Sequence, residues 1–308
     1  MALRVAVPDL ISPSYFPAIA AVELGFFKRE GLDATIELLF PVTRTYEELR
    51  DGRLDFVAGA AHAPLYGFRN WSGCKLLAAL SQYMYWFLVL RKDLGARRGD
   101  LHAVKGLRIG AAPGPVDGLT RMLVAAGIDP QRDVKIGPVP GTAGAGVSFG
   151  VAAARALEEG KLDGFWANGM GAEVAVRSGT GTLVLDARRG DGPAAAREYT
   201  FAAFVTTQKK IDQEPELVAA AVRALVGAQQ ALKQDPARAT EVGRKLFPAT
   251  EAGLIAELIR RDAPFYDPGI SARSVDALSD FSRGLGILSG EAEYEQVVAA
   301  QFQHLWNV

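Results

Sequence analysis

Short apolar runs alternate with longer stretches whose apolar side chains recur at helical spacing. Leu3–Val7 and Leu107–Ala111 are runs of the first kind, bounded by Pro or Gly, and read as buried parallel strands. Tyr15–Glu30 is of the second kind, with Phe16, Ile19, Ala20, Glu23 and Phe27 on one stripe; Gly118–Ala126 repeats it with Leu119, Met122, Leu123 and Ala126. Gly31 and Gly127 then stand where a helix ends in a left-handed residue, which only glycine adopts cheaply. The pattern goes on to predict strands at Thr35–Phe40 and Val134–Val139 and helices at Tyr46–Asp51 and Val151–Glu159. Third strands follow at Leu54–Ala58 and Leu162–Trp166.

These pieces come twice and in the same order. Leu3-Arg4-Val5-Ala6 returns as Leu107-Arg108-Ile109-Gly110, and Gly31-Leu32-Asp33 as Gly127-Ile128-Asp129. Asp51-Gly52-Arg53-Leu54-Asp55 returns as Glu159-Gly160-Lys161-Leu162-Asp163. Any one match is noise, but three in order predict a β-α-β-α-β unit used twice. Further strands are expected at Lys75–Ser81, Trp86–Leu90, Thr182–Leu185 and Tyr199–Thr206, and helices from Glu214 onward. The expected organisation is a first lobe of residues 1–92 plus 197–308 and an inserted second lobe of 93–196. Phe87–Arg91 and Phe201–Thr207 are the expected hinge.

Composition narrows the chemistry. Thirty-four basic side chains face 35 acidic ones, so the chain lacks the basic excess of a nucleic-acid binder. A single cysteine, Cys74, excludes an internal disulfide and a multi-cysteine metal site, and three scattered histidines argue against a histidine metal centre. No apolar run approaches the roughly 20 residues that span a bilayer, so no membrane insertion is expected. The expectation is therefore a protein with no cofactor and no metal. The first apolar run is too short for the core of an export signal.

The segment Ala20-Ala21-Val22-Glu23-Leu24-Gly25-Phe26-Phe27-Lys28-Arg29-Glu30-Gly31-Leu32-Asp33 resembles that of nitrate/sulfonate/taurine-type substrate-binding proteins. Leu49–Asp55, Val104–Gly110 and Glu214-Pro215-Glu216-Leu217-Val218 extend the likeness. The resemblance implies a type 2 periplasmic binding protein fold: α/β, with two doubly wound lobes joined by a two-segment hinge and a ligand cleft between them. It also implies a monomer that carries a small-molecule ligand to an ABC permease. Periplasmic placement follows if an export signal has been removed; a cytosolic protein is the other expectation.

Physics points to the same loops. In open parallel sheets, ligands bind beyond the carboxyl ends of strands, where helix N-termini offer unpaired N–H groups. After the first strand, Ser12 or Ser14 suits a helix cap, and Ser12 and Tyr15 are candidate ligand contacts; plain capping and a packed tyrosine are the alternative. After the second, Thr45 and Glu48 fit a capping box, with Thr43 as another cap and Arg44 as either an anion fork or a solvated arginine. After the third, Ala60 lets a ligand approach the backbone, and His62 is either a ligand donor or a structural imidazole. Gln82 and Tyr83 bring amide and aromatic surface near the hinge.

In the second lobe, the loop with Gly114 and Asp117 precedes a helix. A carboxylate cap there repels an anion, which disfavours a nitrate- or sulfonate-like ligand and leaves neutral, zwitterionic or aromatic ones. Gly141–Gly146 is a further expected loop. Trp166 and Asn168 offer a flat face and an amide for a planar ligand, or a packed indole and a turn asparagine.

Gly146-Val147-Ser148-Phe149-Gly150 spells a nucleophile elbow without the strand that must precede it. The expected function is non-catalytic solute binding, with a lyase or decarboxylase on the same fold as the alternative. Thiamine-pyrimidine synthases of the same superfamily use a cysteine- and histidine-dependent chemistry that has no counterpart here.

Overall fold

The computed structural model describes residues 2–142 and 148–307. Among these residues, ten strands run in chain order: β1 (Leu3–Val7), β2 (Ala34–Leu38), β3 (Phe56–Ala60), β4 (Cys74–Ser81), β5 (Phe87–Arg91), β6 (Arg108–Ala111), β7 (Lys135–Gly137), β8 (Gly164–Ala167), β9 (Gly181–Asp186) and β10 (Ala202–Thr207). The helices of the repeated part are α1 (Phe16–Glu23), α2 (Phe26–Arg29), α3 (Val42–Arg50), α4 (Pro64–Gly67), α5 (Pro115–Ala125), α6 (Phe149–Glu158) and α7 (Gly169–Arg177). Beyond β10 follow α8 (Gln208–Gln213), α9 (Pro215–Gln234), α10 (Arg238–Leu246), α11 (Ala249–Asp262), α12 (Ala272–Gly284) and α13 (Tyr294–Val297).

The chain divides into two compact units, one running to Gln82 and resuming at Thr200, the other Tyr83–Tyr199. Each contains a five-stranded mixed sheet, ordered β2-β1-β3-β10-β4 in the first and β7-β6-β8-β5-β9 in the second. In both, the first three strands of that order are mutually parallel and the fourth is antiparallel to the third. The segments expected to act as hinges, Phe87–Arg91 and Phe201–Thr207, are therefore largely inner strands. β5 lies between β8 and β9, and β10 between β3 and β4, because their continuous apolar runs are buried on both faces.

The repeated sequence pieces do the same work in each unit. Gly31 and Gly127 have φ of +77° and +73°, and the residues after them close back on the helix, Leu32 N–H to Phe27 O and Ile128 N–H to Leu123 O, each at 2.9 Å. Asp55 accepts the Arg4 backbone N–H at 2.8 Å, and Asp163 that of Arg108 at 2.9 Å. The aspartates stand immediately before β3 and β8, which start two residues later than the apolar run suggests.

The expected Tyr15–Glu30 helix is broken in two. Gly25 takes φ of +76° after the chain turns at Leu24, and α2 begins again beyond it. α1 is buried along most of its length, with Phe16, Ala18, Ile19, Ala20 and Ala21 almost inaccessible, and α9 packs against it. In the second unit, Val89, Phe149, Ala153, Leu157 and Phe165 belong to one core that α6 and α7 cover.

Candidate functional site

In the first unit, β1, β2 and β3 lead into α1, α3 and α4, so three loops gather at the carboxyl edge of its parallel strands. The β1–α1 loop is almost wholly buried. Asp9 Oδ1 accepts the Ile11 N–H at 2.8 Å and stiffens the turn. Ser12 is 1% exposed, and its hydroxyl has no hydrogen-bond partner among the described residues. Neither Ser12 nor Ser14 caps α1. Tyr15, itself buried, holds the cap position, and Pro17 lies in the first turn, where a missing N–H costs nothing.

At the second loop, α3 starts earlier than expected, so Thr43 and Arg44 sit within its first turn. The capping box is not formed, because Thr45 donates its hydroxyl back to Val42 O and Glu48 pairs with Arg53. Arg44 is largely exposed, 3.8 Å from Glu48, one helical turn on. Its solvated reading is the one this geometry resembles.

At the third loop, Ala60 and His62 are completely buried. Tyr46 donates its hydroxyl to Ala60 O at 3.3 Å, an approach that Gly59 permits, since a Cβ there would lie 2.7 Å from the Tyr46 hydroxyl oxygen. Burial pushes the Tyr46 pKa well above the ordinary tyrosine value, with Tyr15 and Cys74 adding to the effect, so the hydroxyl stays neutral. His62 Nδ1 and Thr200 Oγ1 share a 3.0 Å hydrogen bond, and the imidazole meets Phe281 edge-on at 5.2 Å. Gln82 spends its amide donors on the carbonyls of Asp267 and Gly269, at 2.9 and 2.7 Å.

In the second unit, α5, α6 and α7 begin at the corresponding edge. Gly114, at φ +88°, is the cap residue of α5; Pro115 follows, and Asp117 falls within the first turn rather than at the cap. The expected carboxylate cap is thus displaced inward, yet its negative charge still sits at the positive end of the helix. Asn168 caps α7, its Oδ1 accepting from Met170 N and Gly171 N at 3.0 and 3.1 Å. Trp166 is fully buried, and its indole N–H donates to Pro115 O at 2.9 Å, 6.4 Å from the Trp86 ring. It packs inside the unit, the geometry of the packed indole that was the alternative to a flat ligand platform. Tyr83 has φ of +65° and lies under the Arg197 guanidinium, 3.6 Å from its ring centroid. Of the Gly141–Gly146 loop, Thr142 donates to Val139 O at 2.9 Å; Ala143–Gly146 lie outside the described residues, as does Val147 of the elbow-like motif. Ser148 of that motif is the cap residue of α6.

Sequence reading missed what the C-terminal part brings to this edge of the first unit. Tyr266 donates its hydroxyl to Pro13 O at 2.6 Å, and α12 supplies Phe281 against His62. It also missed Arg188 in the second unit, an arginine only 2% exposed, whose guanidinium lies 5.7 Å from the Phe87 ring. An Arg-Arg pair directly after a buried strand was the available signal. Among the described residues, no three His, Cys, Asp or Glu side chains group as metal ligands, and no helix is long and apolar enough to cross a membrane.

Residues 12–239 match the NMT1/THI5-like family. The chain belongs to that family. Solved structures share the fold at low identity. The alkanesulfonate-binding protein SsuA of Xanthomonas axonopodis pv. citri is 15% identical, with a TM-score of 0.70 over 98% of this chain and 97% of that one. The periplasmic nitrate-binding protein NrtA of Synechocystis PCC 6803 is 16% identical, with a TM-score of 0.70 over 99% and 87%. A mutant of the desulfurization enzyme DSZB, solved with biphenyl-2-sulfinic acid, is 16% identical, with a TM-score of 0.69 over 99% and 98%. No curated protein matches the sequence. The nitrate/sulfonate-type resemblance and the α/β fold class read from the sequence are both supported by these matches.

Proposed function

We propose that this protein is the solute-binding component of an ABC-type importer, carrying a small organic molecule to a permease from the periplasmic side as a monomer. Each unit contributes loops from the carboxyl edge of its own sheet. Ser12, Tyr15, Thr43, Arg44, Ala60, His62 and Gln82 belong to the first set; Tyr83, Gly114, Asp117, Trp166 and Asn168 belong to the second. Within those sets, Trp166 and Gln82 spend N–H donors on backbone carbonyls, and Asn168 spends its Oδ1 on two backbone N–H groups.

One observation carries the ligand class: two of the three helix starts in the second unit do not suit an anion. α7 has two N–H groups taken by the Asn168 side chain, and α5 has Pro115, which lacks one, with Asp117 in the same turn. The reading is a neutral or zwitterionic ligand rather than a free oxyanion. The family match and the two transport-related neighbours support the binding role. The DSZB likeness keeps an enzyme as the second reading, although Cys74 is buried with its pKa pushed up to about 12, unlike a reactive thiol.

Thermal shift tests the proposal, since a ligand that binds only the folded form raises the melting temperature. The panel is neutral amides, amino acids and aromatic solutes against nitrate and alkanesulfonates. A rise with the first group and none with the second is expected. The reverse pattern overturns the ligand class, and turnover of a solute that binds supports the enzyme.

A further inference from the structure

The chain passes between its two units twice, at Gln82–Tyr83 and at Tyr199–Thr200. Both crossings are pinned within a residue or two of the link. On the side of the first unit, Gln82 N–H donates to Phe265 O at 2.8 Å, and the Gln82 amide binds the carbonyls of Asp267 and Gly269. Thr200, fully buried, is held by His62, and Phe201 O takes the Ala61 N–H at 2.8 Å. Just past each crossing the two strands pair, with Ser81 opposite Ala202. The crossings are therefore neighbours where they leave the first unit.

On the side of the second unit, one residue braces both. Arg197 precedes Tyr199 by two positions and so belongs to the second crossing. Its carbonyl accepts the Met84 N–H at 2.9 Å, its guanidinium covers the Tyr83 ring, and its Nε donates to Arg188 O at 3.2 Å. Tyr83 itself adopts a left-handed backbone that a bulky residue rarely takes, and such conformations persist only where the surroundings hold them.

We propose that Arg197 and Tyr83 form a brace that ties the two crossings into a single paired pivot, confining torsional freedom to the Gln82–Tyr83 and Tyr199–Thr200 links. Loss of the stack frees Tyr83 to leave the left-handed region, and the first crossing then gains a second soft position. This pivot does not depend on what the protein binds.

Distance measurement between spin labels tests it on the full chain. Labels go on Gln213→Cys in the first unit and Gln131→Cys in the second, both exposed, with Cys74 buried and left in place. Removing the brace by Arg197→Met or Tyr83→Ala is expected to broaden the distance distribution about twofold, as a second conformer becomes populated. Tyr83→Phe, which keeps the ring, is expected to leave the width unchanged. Unchanged widths in both disruptive variants overturn the proposal, as does a Tyr83→Phe distribution as broad as that of Tyr83→Ala. Should Tyr83→Ala fail to fold, the half-exposed Arg197→Met decides alone.

Discussion

Asp163 takes the Arg108 backbone N–H and two nitrogens of the same arginine's guanidinium, at 2.8–2.9 Å. One carboxylate thereby fastens the start of β8 to the start of β6. In the first unit the same position, Asp55, holds the Arg4 N–H, but Lys210 supplies the cation at 2.7 Å while Arg4 turns to Glu37.

The Arg108 side chain holds the Asp163 carboxyl down to about 2, with the backbone N–H adding to it. Because the folded value lies below the ordinary aspartate value near 4, the stabilisation is fully present above that range and fades as pH falls toward 2. Asp163→Asn should cost about 1–2 kcal/mol at neutral pH, the half-exposed arginine keeping it modest. Denaturant melts of the two proteins should converge in acid. A gap as wide near pH 2 as at pH 7 would count against the ion pair.

Asn168→Ala should lower stability by about 1 kcal/mol through the lost cap, with or without a ligand. Gly150 is packed against that cap, and a Cβ there would sit 2.6 Å from Asn168 Oδ1. Gly150→Ala should therefore cost less in the Asn168→Ala background than in the wild type, a coupling that a double-mutant cycle reads directly. Gly171→Ala has no such relief, since its Cβ would meet the Gly150 backbone oxygen at 2.4 Å.

Trp166→Ala should destabilise the protein by about 3–5 kcal/mol, the cost of emptying a buried aromatic site. Trp166→Phe should cost less, chiefly the hydrogen bond to Pro115 O. Both losses are expected in ligand-free melts, which separates packing from recognition.

Cys74 lies in β4, fully buried, with burial raising its pKa to about 12. An aromatic disulfide reagent at pH 8 should leave it unmodified in the native protein and react promptly in denaturant. Rapid native-state labelling would show that β4 opens readily.

The duplicated architecture was legible because it rests on local rules. Gly31, Gly127, Gly52 and Gly160 all end helices at positive φ, and the Arg–Asp pairs recur with the strands they lock. Boundaries that depend on tertiary partners were less legible. The segments expected as the hinge contain β5 and β10, because a buried inner strand and an extended connector look alike until pairing is known. The side-chain roles at the edges were harder still: an asparagine after a strand reads as a turn residue or a ligand amide, and only the Met170 and Gly171 N–H groups show that this one caps a helix. Tyr266 on Pro13 and Phe281 on His62 join residues more than two hundred positions apart, where no local pattern reaches.

In the first sheet, β4 lies at the edge and pairs with β10. A ribosome releasing this chain delivers every strand of the second unit before the one that completes the first. The inserted unit can thus assemble while β4, though made long before, still waits for its neighbour. That order makes the early part of the nascent chain the one a chaperone has most reason to hold.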